Sequence, residues 1–214
     1  AILISDGFGE QLKIDSKVKS KLDMSFVSNA LQIPNFKLAG SLDADITSKG
    51  DYIKKNKKFP VTKGNFELAN GFIQTAYYPK PIQNINLKAN LNSPTGDFKD
   101  ASFILSPANF TFEGEPFNLN ASFKNFDDIN YDVKAKGTLN VARIYKVFSQ
   151  KGLDIDGFIK ADLSLAGKQS DASNGRIGNL KNSGILEVKN IKTTIDYLAK
   201  PFLIENGLFT FNQD

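Results

Sequence analysis

Gly40-Ser41-Leu42-Asp43-Ala44-Asp45-Ile46-Thr47-Ser48-Lys49-Gly50 decides the fold class. Leu42, Ala44 and Ile46 alternate with Ser41, Asp43, Asp45 and Thr47. A period of two puts every second side chain on one side of an extended chain, so this stretch reads as a strand with one apolar and one polar face. The same alternation returns along the chain. Ile85, Leu87, Ala89 and Leu91 carry it, as do Phe117, Leu119, Ala121 and Phe123. Tyr131, Val133 and Ala135 repeat it, followed by Ile159, Ala161, Leu163 and Leu165. Shorter versions lie at Phe66/Leu68, Phe103/Leu105, Phe110/Phe112, Leu186/Val188 and Phe209/Phe211. Strands apolar on one face only belong to antiparallel sheet covered on one side.

Turn residues punctuate these runs. Lys49-Gly50-Asp51, Asn70-Gly71, Ser93-Pro94-Thr95-Gly96, Glu113-Gly114-Glu115-Pro116, Asn174-Gly175 and Asn206-Gly207 all read as turns. Regular spacing of short strands and turns predicts a large meandering sheet. Two segments read as short helices. Val141, Ile144, Tyr145 and Phe148 fall at helical spacing behind Asn140, a residue suited to cap a helix N-terminus. Phe26, Val27, Ala30 and Leu31 do so behind Asp23.

Gly40–Gly50 also has a counterpart. Gly157-Phe158-Ile159-Lys160-Ala161-Asp162-Leu163-Ser164-Leu165-Ala166-Gly167 lies 117 residues further on. The same offset pairs Leu22-Asp23 with Leu139-Asn140, and so superposes the two helix starts. Gly64–Asn70 then matches Gly184–Asn190 at an offset of 120, as Pro81 matches Pro201. At an offset of 122, Asn84–Asn90 resembles Asn206–Asn212. The sequence therefore predicts the end of a preceding repeat over 1–21, one unit over 22–138, and a second, truncated unit over 139–214, all in one continuous sheet. A repeat that buries its face only against its neighbours implies a longer parent protein. Ala1 reads as a cut point within it.

Composition narrows the chemistry. The 214 residues include no His, no Cys and no Trp. Without Cys there are no disulfides and no thiolate metal sites. Without His, the Ser-His and Cys-His nucleophile pairs cannot be built, and the commonest zinc ligand is missing. Carboxylate, Lys and Tyr chemistry remain. The acidic pairs Asp43/Asp45, Asp127/Asp128 and Asp154/Asp156 are the material for a carboxylate-based glycan hydrolase, which needs two acids facing across a sugar. Alternation places Asp43 and Asp45 on a solvated polar face, which accounts for them without catalysis. The expectation is a non-enzyme with no cofactor.

Charge points the same way. Lys and Arg number 27 against 23 Asp and Glu, a net +4, and the two signs are interspersed, so no nucleic-acid partner is expected. The one basic cluster is Lys54, Lys55, Lys57 and Lys58, which reads as a solvated loop tip or as a contact for anionic lipid headgroups. No apolar run approaches the ~20 residues that span a bilayer. Phe is abundant at 18 residues. Phe103, Phe110, Phe112, Phe117, Leu119 and Phe123 lie on alternating positions in one region. They form either an ordinary packed core or an apolar groove for acyl chains.

Glu113–Ser122, Tyr131–Asn140, Gly157–Gly167, Ser183–Val188 and Leu208–Asn212 together resemble the C-terminal repeat region of the AsmA-like family of Gram-negative envelope proteins. The Lys/Asn/Phe-rich style is similar to members from the Bacteroidota. The resemblance covers most of 22–214. It implies a mainly β fold, a large antiparallel sheet curled into a groove, with no catalytic residues. It also implies a periplasmic segment of a protein anchored in the inner membrane by an N-terminal helix absent from these residues. The expected role is binding or conducting phospholipid for outer-membrane biogenesis, with other envelope proteins as partners. The alternative is a structural or adhesin-like interaction module with a packed core and no lipid ligand.

Overall fold

The computed structural model of the chain describes residues 2–3, 11–32, 34–53, 55, 58–148, 154–194 and 202–212. The strands are β1 (Ile2–Leu3), β2 (Gln11–Asp23), β3 (Lys37–Ile53), β4 (Val61–Thr75), β5 (Tyr78–Ser93), β6 (Ser102–Phe112), β7 (Glu115–Lys124), β8 (Asn130–Asn140), β9 (Asp154–Lys168), β10 (Lys181–Thr194) and β11 (Phe202–Phe211). They form one eleven-stranded sheet in strict chain order, and every adjacent pair is antiparallel. The sheet is open, with β1 and β11 at its two edges. No second sheet covers it among the described residues.

Three helices interrupt the meander: α1 (Met24–Leu31), α2 (Val141–Phe148) and α3 (Gln169–Ser173). α1 joins β2 to β3 and α2 joins β8 to β9, so both stand at one end of the strands, here the helix end. The opposite, loop end holds the β3–β4, β5–β6, β7–β8 and β9–β10 connections. α3 lies in the last of these, in a stretch whose Ser, Asn and Gly content reads as plain loop. Asp128 fixes α3 there. Its carboxylate accepts from the Ser170 backbone N–H and hydroxyl, both at 2.9 Å. That fixes Asp128 of the Asp127/Asp128 pair in a structural role.

Both long helices begin as the sequence predicts. The Asp23 carboxylate accepts from the Ser25 N–H at 2.9 Å, and Asn140 Oδ1 accepts from the Arg143 N–H at 2.9 Å. Each satisfies a backbone donor that the first helical turn leaves free. Their sequels match as well. Gly40 and Gly157 both have φ 112°, and Asn70 and Asn190, which lie opposite them, have φ 52° and 51°. A β-bulge interrupts the ladder at each place. The bulged strands approach so closely that a Cβ on Gly40 would sit 2.8 Å from the Ala69 carbonyl oxygen, and one on Gly157 2.6 Å from that of Asn190.

These bulges correct part of the turn reading. Asn70-Gly71 lies inside β4, Lys49-Gly50-Asp51 inside β3 and Asn206-Gly207 inside β11. At Asn70 the left-handed residue makes an extra kink and not a chain reversal. The signals at 93–96, 113–116 and 174–175 do mark reversals or bends.

Candidate functional site

The ladder register assembles the apolar face row by row. Leu22, Leu42, Leu68, Leu87, Ala108, Leu119, Ala135 and Leu163 lie side by side across β2 to β9. Two residues nearer the loop end runs Ala44, Phe66, Ala89, Leu105, Ala121, Val133 and Leu165. Beyond it come Ile46, Gly64, Leu91, Phe103, Phe123 and Tyr131. With strands ~4.8 Å apart and rows ~6.6 Å apart, these three rows cover roughly 34 by 20 Å.

Most of this face is half-buried and little of it is closed. Phe103, Phe110, Phe117, Leu119 and Phe123 are all of intermediate exposure. The first and last pair directly across β6 and β7, and so do Phe110 and Phe117, whose rings lie 5.4 Å apart. Phe112 differs. It is 2% exposed, in a core cluster with Ile82 and Val147. Of the six candidate lining residues, Phe112 is sealed under α2, Phe110 is half-buried against the same cluster, and the other four are half-exposed on the face.

The face has a border at each end of the strands. At the helix end, α2 lies against β9, β8, β5 and β4. Its Val147 is fully buried, and the Thr75 hydroxyl donates to the Val147 carbonyl at 2.9 Å. A polar latch holds the helix beside the β6–β7 turn. Arg143 donates to both Glu113 oxygens, at 3.1 and 2.9 Å, and the Tyr78 hydroxyl donates to Oε1 at 2.5 Å. Burial works to raise the Glu113 carboxyl, but the hydrogen bonds from Tyr78 and Arg143 outweigh it and hold the group below the usual carboxylate range. Burial raises the Tyr78 hydroxyl, and the Glu113 carboxylate adds to that rise.

At the loop end an aromatic cluster closes over the same face. Phe59 stacks edge-on against Phe98 at 4.6 Å and against Tyr52 at 5.3 Å. With Leu91, Ala101 and Phe126, these two Phe residues line an almost wholly apolar cavity of about 280 Å³. The Phe members of this cluster escape a reading by periodicity, because Phe59, Phe98 and Phe126 stand in connections and not in alternating runs. The sequence signal for it is large aromatics inside turn segments: Phe59-Pro60, Phe98 and Phe126.

The opposite face is a ladder of charge. Lys21 meets Asp43 at 3.9 Å, Lys88 meets Glu67 at 3.0 Å, and Lys136 meets Asp162 at 3.1 Å. An open depression of about 600 Å³ lies here, lined among others by Lys19, Lys21, Asp43, Asp45, Glu67 and Lys88. Asp43 and Asp45 share one strand and one face, so they do not oppose each other across a cleft. The side chains of Asp43 and Glu67 are each about half exposed, and each acid has a lysine beside it. This is a solvated pattern of exposed ion pairs. Among the described residues no group of three or more His, Cys, Asp or Glu is placed to hold a metal ion.

Of the lysine cluster, Lys54 and Lys57 fall outside the described residues. Lys55 and Lys58 are exposed at the loop end, and Lys58 exchanges two backbone hydrogen bonds with Ile53 at 2.9 and 3.1 Å. Lys58 thus stands directly before the aromatic cluster. Asp154 and Asp156 lie on β9, but their side chains fall outside the described set.

No family model, curated protein or solved structure matches the chain. No helix among the described residues is long and apolar enough to cross a membrane.

Proposed function

We propose that this chain is a lipid-binding segment of an AsmA-like envelope protein, built from a duplicated β unit, whose apolar sheet face holds phospholipid acyl chains. One observation carries the reading. A large apolar face is left half-open in a single-layer sheet, where a packed module would have a second layer over it. Water against such a face is unfavourable by ~25 cal/mol per Å² of apolar surface. Something apolar, with no demand for directed hydrogen bonds, fits it best. Acyl chains meet that description.

The sheet curls about this face in our reading. α2 is only about 12 Å long at 1.5 Å per residue. It nevertheless touches strands as far apart in the sheet as β4 and β9. The aromatic cluster and α2 then form the two walls of a trough that lengthens by one strand spacing with each added strand. Lys55 and Lys58, exposed beside the aromatic wall, suit an anionic or zwitterionic headgroup. The matched caps, glycines and left-handed asparagines support the duplication, at offsets of 117 and 120 residues. Location in the periplasm, anchorage in the inner membrane and a part in outer-membrane biogenesis follow from the resemblance.

The test is lipid content. Protein purified from a Gram-negative host and analysed by native mass spectrometry is expected to carry phospholipid. Phe103→Glu combined with Phe123→Glu should lose most of it while remaining folded. Wild-type protein that carries no lipid and takes up no fluorescent phospholipid returns the chain to the structural-module reading.

A further inference from the structure

The aromatic wall at the loop end is hollow, and its construction keeps it so. The β3–β4, β5–β6 and β7–β8 connections each contribute one ring to the cavity there, Phe59, Phe98 and Phe126. Backbone hydrogen bonds lace the three connections together. The Phe59 N–H donates to the Gly96 carbonyl at 3.0 Å, the Asn125 N–H to the Ala101 carbonyl at 3.0 Å, and the Phe126 N–H to the Phe98 carbonyl at 2.8 Å. Gly96 permits the first of these approaches. Its φ is 81°, and a Cβ there would collide with the Phe59 carbonyl oxygen. The rings cannot sink onto the sheet without breaking these bonds.

Beneath the rings the sheet is low. Thr62 pairs with Ser93 across β4 and β5, one row beyond the Gly64–Leu91 pair. Small side chains under held rings leave the cavity of about 280 Å³. Thr62 makes little polar demand on it, because its hydroxyl already donates to the Pro60 carbonyl at 2.9 Å and lies 2.8 Å from the Ser48 hydroxyl. An apolar void with no occupant is unfavourable, since the atoms around it lack contacts on one side. This one is roughly twice the size of the ~150 Å³ apolar cavity that stays dry and takes up one benzene. It stands between β4 and β7, away from both edges of the sheet. Leu91 belongs both to its lining and to the third apolar row, so the cavity and the open face are continuous.

We infer that this cavity is a subsite for a single unbranched alkyl segment of roughly eight to ten carbons, supplied by one acyl chain of a phospholipid whose remainder lies on the face. A chain needs no directed hydrogen bond, fills a dry volume and passes to the face over Leu91. The site itself stands on the cavity. Phospholipid as the source of the chain rests on the acyl-chain reading of the face.

Linear alcohols, titrated calorimetrically into the intact chain, separate a closed subsite from an open face. Octanol should bind one to one. From butanol upward the affinity should rise about fourfold per added carbon, as each CH₂ leaves water, and should level off beyond decanol. An open face sets no such limit. Ala101→Phe, which fills the cavity, should weaken octanol binding at least tenfold. Phe98→Ala, which enlarges it, should move the plateau to longer chains. A wild type that binds no octanol, an affinity that climbs by the same step through dodecanol, or octanol binding unchanged in Ala101→Phe overturns the subsite. Native mass spectrometry tests the source. Ala101→Phe should carry several-fold less phospholipid than wild type. Undiminished phospholipid with octanol binding lost overturns that source and gives the cavity to a free single-chain amphiphile. Phospholipid on a wild type that ignores octanol leaves the face reading in place without the subsite. Octanol bound with a plateau by a wild type free of phospholipid does the reverse.

Discussion

α1 and α2 are the same device in two settings. Each has eight residues, follows a leucine and a capping side chain, and precedes a strand with a glycine bulge. α2 has strands beneath its apolar side, and Val147 disappears into them. α1 rests chiefly on β3 and leaves Phe26, Ala30 and Leu31 exposed. Local sequence therefore sets where these helices start, and the neighbouring strands set how much they stabilise. Short helices are marginal by themselves, and most of their stability comes from a buried face.

That contrast can be broken most sharply at Phe112. Phe112→Ala opens a cavity beneath α2 and should cost about 4 kcal/mol in urea unfolding, whereas Phe26→Ala on α1 should cost less than ~0.5 kcal/mol. Similar losses at both sites would mean that α1 is as firmly packed as α2. A smaller step in the same direction is Val147→Ala, for which about 2 kcal/mol is expected, against under ~0.5 kcal/mol for Ala30→Ser.

Acid should separate the helices by the groups that titrate. The Glu113 carboxyl is held below its ordinary range in the fold, so its contribution is present at neutral pH and is lost as pH falls through and below that range. Asp23, lowered by its hydrogen bonds to Ser25, has the same sign. Amide exchange of α2 should therefore lose its acid sensitivity in Glu113→Gln, and that of α1 in Asp23→Asn, each variant leaving the other helix unchanged. Exchange that accelerates equally in both helices in either variant would show that they open together. The smallest effect belongs to the polar ladder. Lys136→Ala removes an ion pair whose partners are both over two-thirds exposed, and should shift stability by under ~0.5 kcal/mol.

The strands were legible because alternation needs only local sequence. Leu42, Ala44 and Ile46 reveal a face, and so do Phe117, Leu119 and Phe123. Asp23 and Asn140 announce helix starts by side-chain chemistry alone. What covers a face was not legible. Phe103 and Phe112 follow one pattern, yet one is half-open and the other sealed, because sealing depends on a helix about thirty residues later in the chain. The Tyr78–Glu113–Arg143 latch joins β5, the β6–β7 turn and α2, and has no local signature. Asn70-Gly71 and Asn206-Gly207 misled as turns for a related reason, since the same residues serve a reversal and a bulge. Phe59, Phe98 and Phe126 lay in segments where periodicity has nothing to report.

The proposed function places acyl chains on the apolar face. A phospholipid carrying a photoactivatable group near the end of one acyl chain tests it directly. After irradiation and digestion, labelled peptides should contain Phe103, Phe117, Phe123 and their row neighbours, with the aromatic cluster at the loop end labelled as well. Labelling confined to the polar ladder around Asp43, Glu67 and Lys88, or no labelling above that of an unfolded control, would contradict it.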